Sequence, residues 1–334
     1  MKECYLYTKL EKEKIRCDLC NHRCVINEDE TGKCFVRKNV NGKLYSLVYG
    51  KLIAENVDPI EKKPLFHFLP GTYSYSIATV GCNFKCFFCQ NYQISQMPSD
   101  ENYIDGKLTS PEAIVQNALK YNCKSISYTY TEPTVYFELA YDTSVLAKKN
   151  NLKNVFVTNG FMTKEALDMI APYLDAANVD LKSFSDEFYK KYIGGRLAPV
   201  LENIKHMKKL NIWVEVTTLL IPGLNDSVDE LTQIAKFLKE INKNIPWHLS
   251  AYYPQYKSNI PPTSFDSIKK AVEIGKSIGL SYVYGGNVAF SDLEDTVCPN
   301  CQNILIKRKG FSILKNNVNN GSCNSCGYKI DGIF

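Results

Sequence analysis

The stretch SYSIATVGCNFKCFFCQ (residues 74–90) joins an apolar, strand-like segment to three closely spaced cysteines. The cysteines are Cys82, Cys86 and Cys89, in the spacing C-x3-C-x2-C. Three thiolates are one short of a closed tetrahedral zinc site and one short of a fully ligated iron–sulfur cube. The spacing therefore predicts a metal centre that follows a strand. Its fourth coordination position is not filled by a cysteine and is available to another ligand.

The composition is that of a globular protein. Of 334 residues, 45% are hydrophobic and 22% charged, so the chain can bury a large core. No apolar run is long enough for a membrane span, and the first residues lack the apolar core of a signal peptide. We therefore expect a cytoplasmic protein without a membrane partner. The chain has 40 Lys and Arg residues against 35 Asp and Glu residues. Because this basic excess is small, nucleic acid is not an expected partner.

Short apolar strands alternate with amphipathic helices from about residue 73 to residue 290. This alternation predicts an α/β fold with a parallel sheet covered by helices, either a barrel or a doubly wound sheet. Polar side chains follow successive predicted strands, as they do at the active face of a barrel, and this favours a partial (β/α)6-type TIM barrel. The polar residues at these strand ends are Cys82, Glu132, Asn159, Asp180, Lys182 and Asn225.

The thirteen cysteines are clumped rather than scattered, which indicates metal sites in a cell compartment that rarely keeps disulfides. Two of the clumps flank the barrel. We therefore predict three sections: a Cys-rich N-terminal segment (residues 1–70), the barrel (residues 71–291) and a C-terminal metal ribbon (residues 292–334). Cys123, which stands alone, is expected to be a small buried side chain.

The chemistry of the three central cysteines follows from the missing ligand. No His or Asp in the immediate neighbourhood of Cys82, Cys86 and Cys89 completes a zinc site. A [4Fe–4S] cluster held by three thiolates keeps one iron free to bind a small molecule. Phe84, Phe87 and Phe88 lie between the cysteines in sequence and would shield such a cluster from water. The alternative is a structural zinc site or a set of buried thiols.

The C-x3-C-x2-C spacing after the first barrel strand resembles the radical S-adenosylmethionine (SAM) superfamily. The resemblance implies that the open iron of a [4Fe–4S] cluster on Cys82, Cys86 and Cys89 binds SAM. It further implies reductive cleavage of SAM to a 5′-deoxyadenosyl radical that abstracts hydrogen from a substrate. Phe88, the aromatic residue before the third cysteine, matches the family pattern and is expected near the adenine.

Further segments resemble the pyruvate formate-lyase activating enzyme group. By this resemblance Glu132, in TEP, contacts the SAM ammonium, although the glycines that precede this acid in the group are absent here. Thr158 and Asn159, in VTNG, would approach the ribose and carboxylate of SAM. Asp180 and Lys182, in NVDLK, would be further SAM contacts. The alternatives are a solvated turn acid for Glu132 and a rim ion pair for Asp180 and Lys182.

A narrower resemblance covers nearly the whole chain. CDLCNHRCVI, DPIEKKPLFHFLPG, YTYTEPTVYFE and WHLSAYYPQYK are similar to the radical SAM enzyme of the AmmeMemoRadiSam system. The resemblance implies an electron donor such as flavodoxin or ferredoxin, and it leaves the substrate open, a protein substrate included. Two alternatives stay open: an activase that abstracts hydrogen from a glycine of a glycyl-radical enzyme, and a non-catalytic metal-binding or electron-transfer scaffold.

The flanking cysteine sets have metal-ligand spacings of their own. Near the N-terminus, zinc is the simplest interpretation, with a second iron–sulfur centre or redox thiols as alternatives. Near the C-terminus, two C-x2-C pairs predict a tetrahedral site, for which zinc is favoured over rubredoxin-type iron. The N-terminal set is Cys17, Cys20, Cys24 and Cys34, and the C-terminal set is Cys298, Cys301, Cys323 and Cys326.

Overall fold

Strands and helices alternate through the centre of the chain, and short strands make up both of its ends. The computed structural model describes residues 1–288 and 292–334, so the predicted boundary at residue 291 lies outside the described residues. The strands are β1 (Lys2–Glu3), β2 (Tyr7–Lys9), β3 (Ile15–Cys17), β4 (Val25–Ile26), β5 (Arg37–Val40), β6 (Lys43–Ser46), β7 (Lys51–Leu52), β8 (Ala54–Pro59), β9 (Tyr73–Ala78), β10 (Lys107–Leu108), β11 (Ser125–Tyr128), β12 (Lys153–Thr158), β13 (Ala176–Asp180), β14 (Trp213–Leu220), β15 (Trp247–Ala251), β16 (Val283–Gly286), β17 (Thr296–Val297), β18 (Ile304–Lys309), β19 (Ser312–Asn316), β20 (Val318–Asn319) and β21 (Ser322–Cys323).

Helices follow most of the central strands. They are α1 (Tyr92–Ser95), α2 (Met97–Asp100), α3 (Pro111–Lys120), α4 (Phe137–Lys149), α5 (Lys164–Ile170), α6 (Asp186–Phe188), α7 (Leu197–Lys209), α8 (Val228–Asn242) and α9 (Phe265–Ile278). Several begin at a Ser or Thr whose side chain accepts a hydrogen bond from a backbone N–H of the first turn. These capping residues are Ser110, Thr163, Ser227 and Ser264.

The central sheet has eight strands in the order β16-β15-β14-β13-β12-β11-β9-β8. From β9 to β16 all neighbours are parallel, and their inner residues are buried on both faces, which is why these strands read as apolar runs. Among the described residues no pairing joins β16 to β8, so the sheet is an open barrel. The predicted α/β partial barrel is confirmed, with a seventh parallel strand beyond the six-stranded core.

The N-terminal segment contributes the edge strand β8, which pairs antiparallel with β9 from Ala54 opposite Ala78 to Pro59 opposite Tyr73. Before it lie two small sheets, β1-β6-β5 and β2-β3-β4. Side chains of this segment, among them Ile15, Val36 and Leu44, join the same hydrophobic core as the barrel. The division into three sections stays a prediction, and β8, which lies within residues 1–70, pairs with β9 of the barrel sheet.

The C-terminal residues form a small antiparallel unit that packs on the segment after β8. The strands β17, β18 and β19 make one sheet, and β20 and β21 pair beyond it. Arg308 lies 4.1 Å above the ring of Phe66 and donates a hydrogen bond to the Phe66 carbonyl at 2.9 Å. The backbone of Ile333 pairs with that of Phe68. The last residues of the chain therefore pack on residues 60–69, whose apolar side chains also contact Val155 and Ala176 of the barrel strands.

In the part of the chain that the structure describes, no helix has the length and apolar character needed to cross a membrane.

Candidate active site

The three central cysteines lie in the loop that follows β9, at the carboxyl edge of the parallel strands. Cys86 is buried, and Cys82 and Cys89 are partly buried. The Cys82 sulfur accepts a hydrogen bond from the Phe84 backbone N–H at 3.3 Å, and the Cys89 sulfur lies 3.1 Å from Ser95 Oγ. The three thiols therefore lie in the interior of the loop, with Cys82 and Cys89 partly exposed.

The spacing of these sulfurs separates a cluster from a single metal ion. Among residues 1–288 and 292–334, the C-terminal quartet is the one group whose ligand atoms all lie within 4.8 Å of one another. Cys82, Cys86 and Cys89 are therefore spread more widely than ligands of one tetrahedral ion, which lie about 3.8 Å apart for bonds of about 2.3 Å. A wider set of three thiols suits a polynuclear cluster with one open corner.

Glu132 lies beyond the end of β11 and is almost fully buried. Its Oε1 accepts hydrogen bonds from the Thr134 backbone N–H at 3.0 Å and from the Thr158 hydroxyl at 2.8 Å. Its Oε2 accepts one from the Asn159 backbone N–H at 2.8 Å. Burial raises the pKa of this carboxyl above its usual range, and the hydrogen bonds offset only part of that rise. A cationic ligand would satisfy the site.

Asn159 connects this carboxylate to the cysteine loop. Its side-chain amide donates a hydrogen bond to Asn83 Oδ1 at 2.7 Å and lies 3.9 Å from the Cys82 sulfur. The hydroxyl of Thr158 donates a hydrogen bond to Glu132 and accepts one from the Gly160 backbone N–H at 3.1 Å. Thr158 therefore positions the end of β12, while Asn159 reaches the cysteines.

Asp180 and Lys182 lie at the end of β13 and form an ion pair of 2.8 Å. The Lys182 side chain is 15% exposed and that of Asp180 is 37% exposed. Burial acts to lower the pKa of Lys182, but Asp180, Cys86 and Tyr189 together act to raise it and hold this pKa above its ordinary value. The pair therefore presents a fixed positive and a fixed negative group at the same edge of the sheet as the cysteines.

The last strand-end residue that the sequence singled out has a structural use. Asn225 donates hydrogen bonds to the backbone carbonyls of Lys182 at 2.6 Å and of Leu219 at 2.9 Å. It thereby holds the turn after β14 against the end of β13. Phe88, within the cysteine loop, is buried, and its ring centroid lies 6.2 Å from that of Phe188.

The flanking cysteines form two separate groups. In the C-terminal quartet the sulfurs of Cys298 and Cys326 lie 3.7 Å apart, as do those of Cys301 and Cys323. This matches the separation of about 3.8 Å that follows from a tetrahedral centre with metal–sulfur bonds of about 2.3 Å. The N-terminal cysteines line one cavity with residues of the barrel edge.

Two further residues near the cysteines were not predicted as site residues from the sequence. Asn83 is buried and bridges Asn159 to the backbone beside Cys82. Thr134 caps the Glu132 carboxylate through its backbone N–H and its hydroxyl. Their positions directly after Cys82 and within TEPT are the only sequence signals of these roles.

Comparison with known proteins supports the same chemistry. The sequence profile of the Radical SAM superfamily matches residues 76–238. The chain is 48% identical to the uncharacterized protein MJ0808 of Methanocaldococcus jannaschii, over 99% of both chains. It is 30% identical to the putative glycyl-radical enzyme activating enzyme MJ1632 of the same organism, over 60% of this chain and 75% of that one. It is 20% identical to the pyruvate formate-lyase 1-activating enzyme of Escherichia coli K12, over 50% of this chain and 71% of that one.

The fold comparison agrees with the sequence comparison. The crystal structure of Streptococcus suis SuiB bound to S-adenosylmethionine superposes with a TM-score of 0.51, at 14% identity, over 68% of this chain and 53% of that chain. At this identity the likeness concerns the fold alone. Taken with the profile match and the relatives, the α/β barrel with cysteines after its first strand identifies the chain as an enzyme of the radical SAM superfamily, which uses a [4Fe–4S] cluster and S-adenosylmethionine.

Proposed function

We propose that this enzyme cleaves SAM at the carboxyl edge of the barrel and abstracts hydrogen from a substrate held beside it. The observation that carries the proposal is the convergence of Cys82 with Asn159 and, through it, with buried Glu132. Cys82, Cys86 and Cys89 would hold a cluster that, when bound, would supply the electron for reductive cleavage of the sulfonium bond of SAM. The residues of this chain bind and orient the two groups.

Cys82, Cys86 and Cys89 are proposed as the cluster ligands. The wide spacing of their sulfurs supports this assignment. The hydrogen bond from the Phe84 backbone N–H to the Cys82 sulfur would stabilise the ionised thiolate and raise the potential of the cluster. Phe84 is buried, which limits the access of water on this side.

Glu132 is proposed to bind the SAM ammonium. Burial disfavours the ionised form of this carboxyl, and an ammonium group would stabilise that form through charge-assisted hydrogen bonds. Asn159, Asp180 and Lys182 would face the remaining polar parts of SAM. The ion pair between Asp180 and Lys182 supports this role because its two charges are held in place before any ligand binds.

A cavity of about 920 Å³ is the proposed substrate site. This volume lies at the upper end of the range for ligand sites, roughly 300–1,000 Å³. Gln90, directly after the third cysteine, lies in its wall together with Thr217 and His248 of the barrel. The outer wall comes from the C-terminal unit and includes Lys307 and Glu294. Charges of both signs in the wall support a polar substrate.

Glycyl-radical enzyme activation is the second candidate. It is favoured by the two relatives that are named as activating enzymes. In either case the reaction needs a one-electron donor of low potential. A flavodoxin or ferredoxin would meet that need.

The proposal is tested by product analysis. Anaerobically reconstituted protein, incubated with dithionite and SAM, should form 5′-deoxyadenosine and methionine. Cys86→Ser should abolish product formation, whereas Cys123→Ser, at a buried cysteine outside the three metal sets, should preserve it. Intact SAM in the presence of a complete cluster would contradict the proposal. A protein substrate that co-purifies under anaerobic conditions should acquire an organic radical signal if the chain is an activase.

A further inference from the structure

The four N-terminal cysteines surround one cavity at the junction of the N-terminal segment and the barrel. Cys17 ends β3, and the other three come from the loops that flank β4. The opposite wall is formed by Asn83, from the loop of the central cysteines, and by Thr134, which caps Glu132. The full set of cysteines in the wall is Cys17, Cys20, Cys24 and Cys34.

The arrangement of these sulfurs differs from that of the C-terminal quartet. In residues 1–288 and 292–334 only that quartet brings its ligand atoms within 4.8 Å of one another, and no three of the N-terminal sulfurs converge as closely. One zinc or iron ion would hold four sulfurs about 3.8 Å apart, through bonds of about 2.3 Å. An iron–sulfur cube carries its thiolates at separate corners and requires the wider arrangement seen here.

The side chains that line this cavity leave part of it unfilled. Its volume is about 20 Å³, slightly more than the roughly 10–15 Å³ that one water molecule needs. The four cysteines therefore lie around free space, and the volume of this space does not distinguish one ion from a cluster.

Two buried donors in the cavity wall have no acceptor among the described residues. They are Arg37 Nε and Asn83 Nδ2. The other guanidinium nitrogens of Arg37 are bound to Glu138, with the shorter contact at 2.5 Å. A buried donor without an acceptor costs about 1–3 kcal/mol. The thiolates of a metal centre would accept hydrogen bonds from both groups, and the sulfides of a cluster would add further acceptors.

We propose that Cys17, Cys20, Cys24 and Cys34 hold a second iron–sulfur cluster of the cubane type. The separation of the sulfurs supports a cluster over the zinc ion that the sequence spacing of the cysteines favoured, and the two unpartnered donors support a centre with sulfur acceptors beside them. All four cube corners are ligated, so this cluster offers no open iron to a substrate.

The second cluster would lie next to the first. His22, between two of the four cysteines, lies with its Nε2 2.7 Å from the backbone carbonyl of Asn83. Asn83 in turn follows Cys82 directly and accepts a hydrogen bond from Asn159. One electron from an external low-potential donor protein would reduce the second cluster, which would pass that electron to the first and return to its oxidised form. This relay, unlike the site, rests on the proposed function.

The test counts inorganic sulfide, because neither a zinc site nor a rubredoxin-type iron contains it. The wild-type chain after anaerobic reconstitution should hold about eight sulfides for two cubes. The triple variant Cys82→Ser, Cys86→Ser, Cys89→Ser should keep about four, and so should the quadruple variant of the N-terminal set. Cys123→Ser serves as the matched control and should stay at about eight.

The outcomes separate this proposal from the proposed function. About four sulfides in the wild type, together with zinc in the N-terminal site, would overturn the second cluster, and this measurement needs no variant to fold. If the triple variant keeps its sulfide and gives a reduced-cluster signal that SAM does not alter, the second cluster is supported whatever the first one does. Failure of SAM cleavage with about eight sulfides present would count against the proposed function alone.

Discussion

Glu132 accepts a hydrogen bond from the backbone N–H of Asn159 at 2.8 Å, across the ends of two neighbouring strands. This bond ties the proposed ammonium site to the residue that reaches the Cys82 sulfur at 3.9 Å. Any change at the carboxylate is therefore transmitted to the cysteine loop through a backbone contact. Binding of SAM and the environment of the cluster should respond together.

Glu132→Gln should weaken SAM binding while the cluster assembles. The amide keeps the shape of the side chain but removes the negative charge that the ammonium would need. Hydrogen bonds to charged groups contribute about 1.5–3 kcal/mol, so we expect a loss of at least about tenfold in affinity. The measurement is the SAM-induced change in the spectrum of the reduced cluster. Glu112→Gln, at an exposed position in the first turn of α3, is the matched control, and equal affinities in the two variants would rule out this role for Glu132.

Lys182→Met should also weaken SAM binding, by about tenfold, because a lost charge contact costs on the order of 1.4 kcal/mol. The variant leaves Asp180 unpaired at the edge of the sheet, while methionine keeps most of the apolar stem of the lysine. Lys164→Met removes a lysine from a solvent-exposed ion pair of the same length, 2.8 Å to Asp168, and should leave affinity unchanged. If both variants bind SAM like the wild type, the pair at Asp180 is structural.

Gly81→Ala should destabilise the junction between the N-terminal segment and the cysteine loop. Gly81 has a φ of +103°, and an added Cβ would lie 2.8 Å from Val36 Cγ1. The strain of the backbone adds to overpacking, which costs about 1–3 kcal/mol. Gly310→Ala is the control, since Gly310 also has a positive φ, +56°, but has no heavy atom within 4 Å of the added Cβ. Chemical unfolding should show a clearly larger loss for Gly81→Ala, and similar losses would refute the packing argument.

The parts of this fold that the sequence predicted correctly are those with local signals. The parallel strands are apolar runs, and the helices between them begin at capping residues such as Ser110 and Thr163. The edge strand β8 was missed because its residues are mostly half-buried or exposed, so they lack the apolar run of the strands beside it. The strands of residues 1–52 are two to four residues long, too short for a periodic signal.

The candidate site shows the same limit. The cysteine spacings are local and were found, together with the acids and amides that follow the strands. Arg37 and Glu138 lie 101 residues apart in sequence and form a buried ion pair, which no local pattern marks. The choice between one ion and a cluster in the N-terminal set likewise depends on the distances between sulfurs, and spacing in sequence does not determine those distances.

Cys326→Ser should remove one metal ion from the C-terminal unit and leave the barrel chemistry intact. The sulfur of Cys326 lies 3.7 Å from that of Cys298, and loss of one of four ligands weakens a structural site that is coupled to local folding. We expect faster proteolysis within residues 299–330 and unchanged inorganic sulfide. Ser325→Ala, at the adjacent exposed residue, should retain the metal. Metal analysis also identifies the ion as zinc or iron, and an unchanged metal content in Cys326→Ser would exclude this quartet as the site.

The last prediction concerns the contact that holds the end of the chain on the barrel. His67 is fully buried, with Nδ1 2.8 Å from the backbone carbonyl of Asp331 and Nε2 2.6 Å from the Tyr284 hydroxyl. Burial lowers the pKa of His67 to about 4, although the nearby Glu215 carboxylate acts to raise it. Arg308, which also faces this site, acts to lower the pKa further.

This pKa makes the folded state sensitive to acid. At pH values between about 4 and the ordinary pKa of 6.5, His67 is protonated in the unfolded chain but not in the folded protein. The stabilisation is therefore complete above pH 6.5 and is lost as the pH falls through about 4. Its size is up to about 3 kcal/mol, from about 1.4 kcal/mol for each unit of pKa shift.

His67→Gln should remove this part of the pH dependence. The amide can keep one of the two hydrogen bonds, so the variant should be less stable at pH 6.5 but should lose less stability on acidification. The measurement is the free energy of urea unfolding at several pH values between 4 and 6.5, for the wild type and the variant. Because all other acidic groups titrate in both proteins, the difference in slope isolates His67. His206→Gln, at a histidine paired with Asp168 on the surface, should keep the wild-type slope, and an equally steep slope in His67→Gln would show that His67 does not govern the acid response.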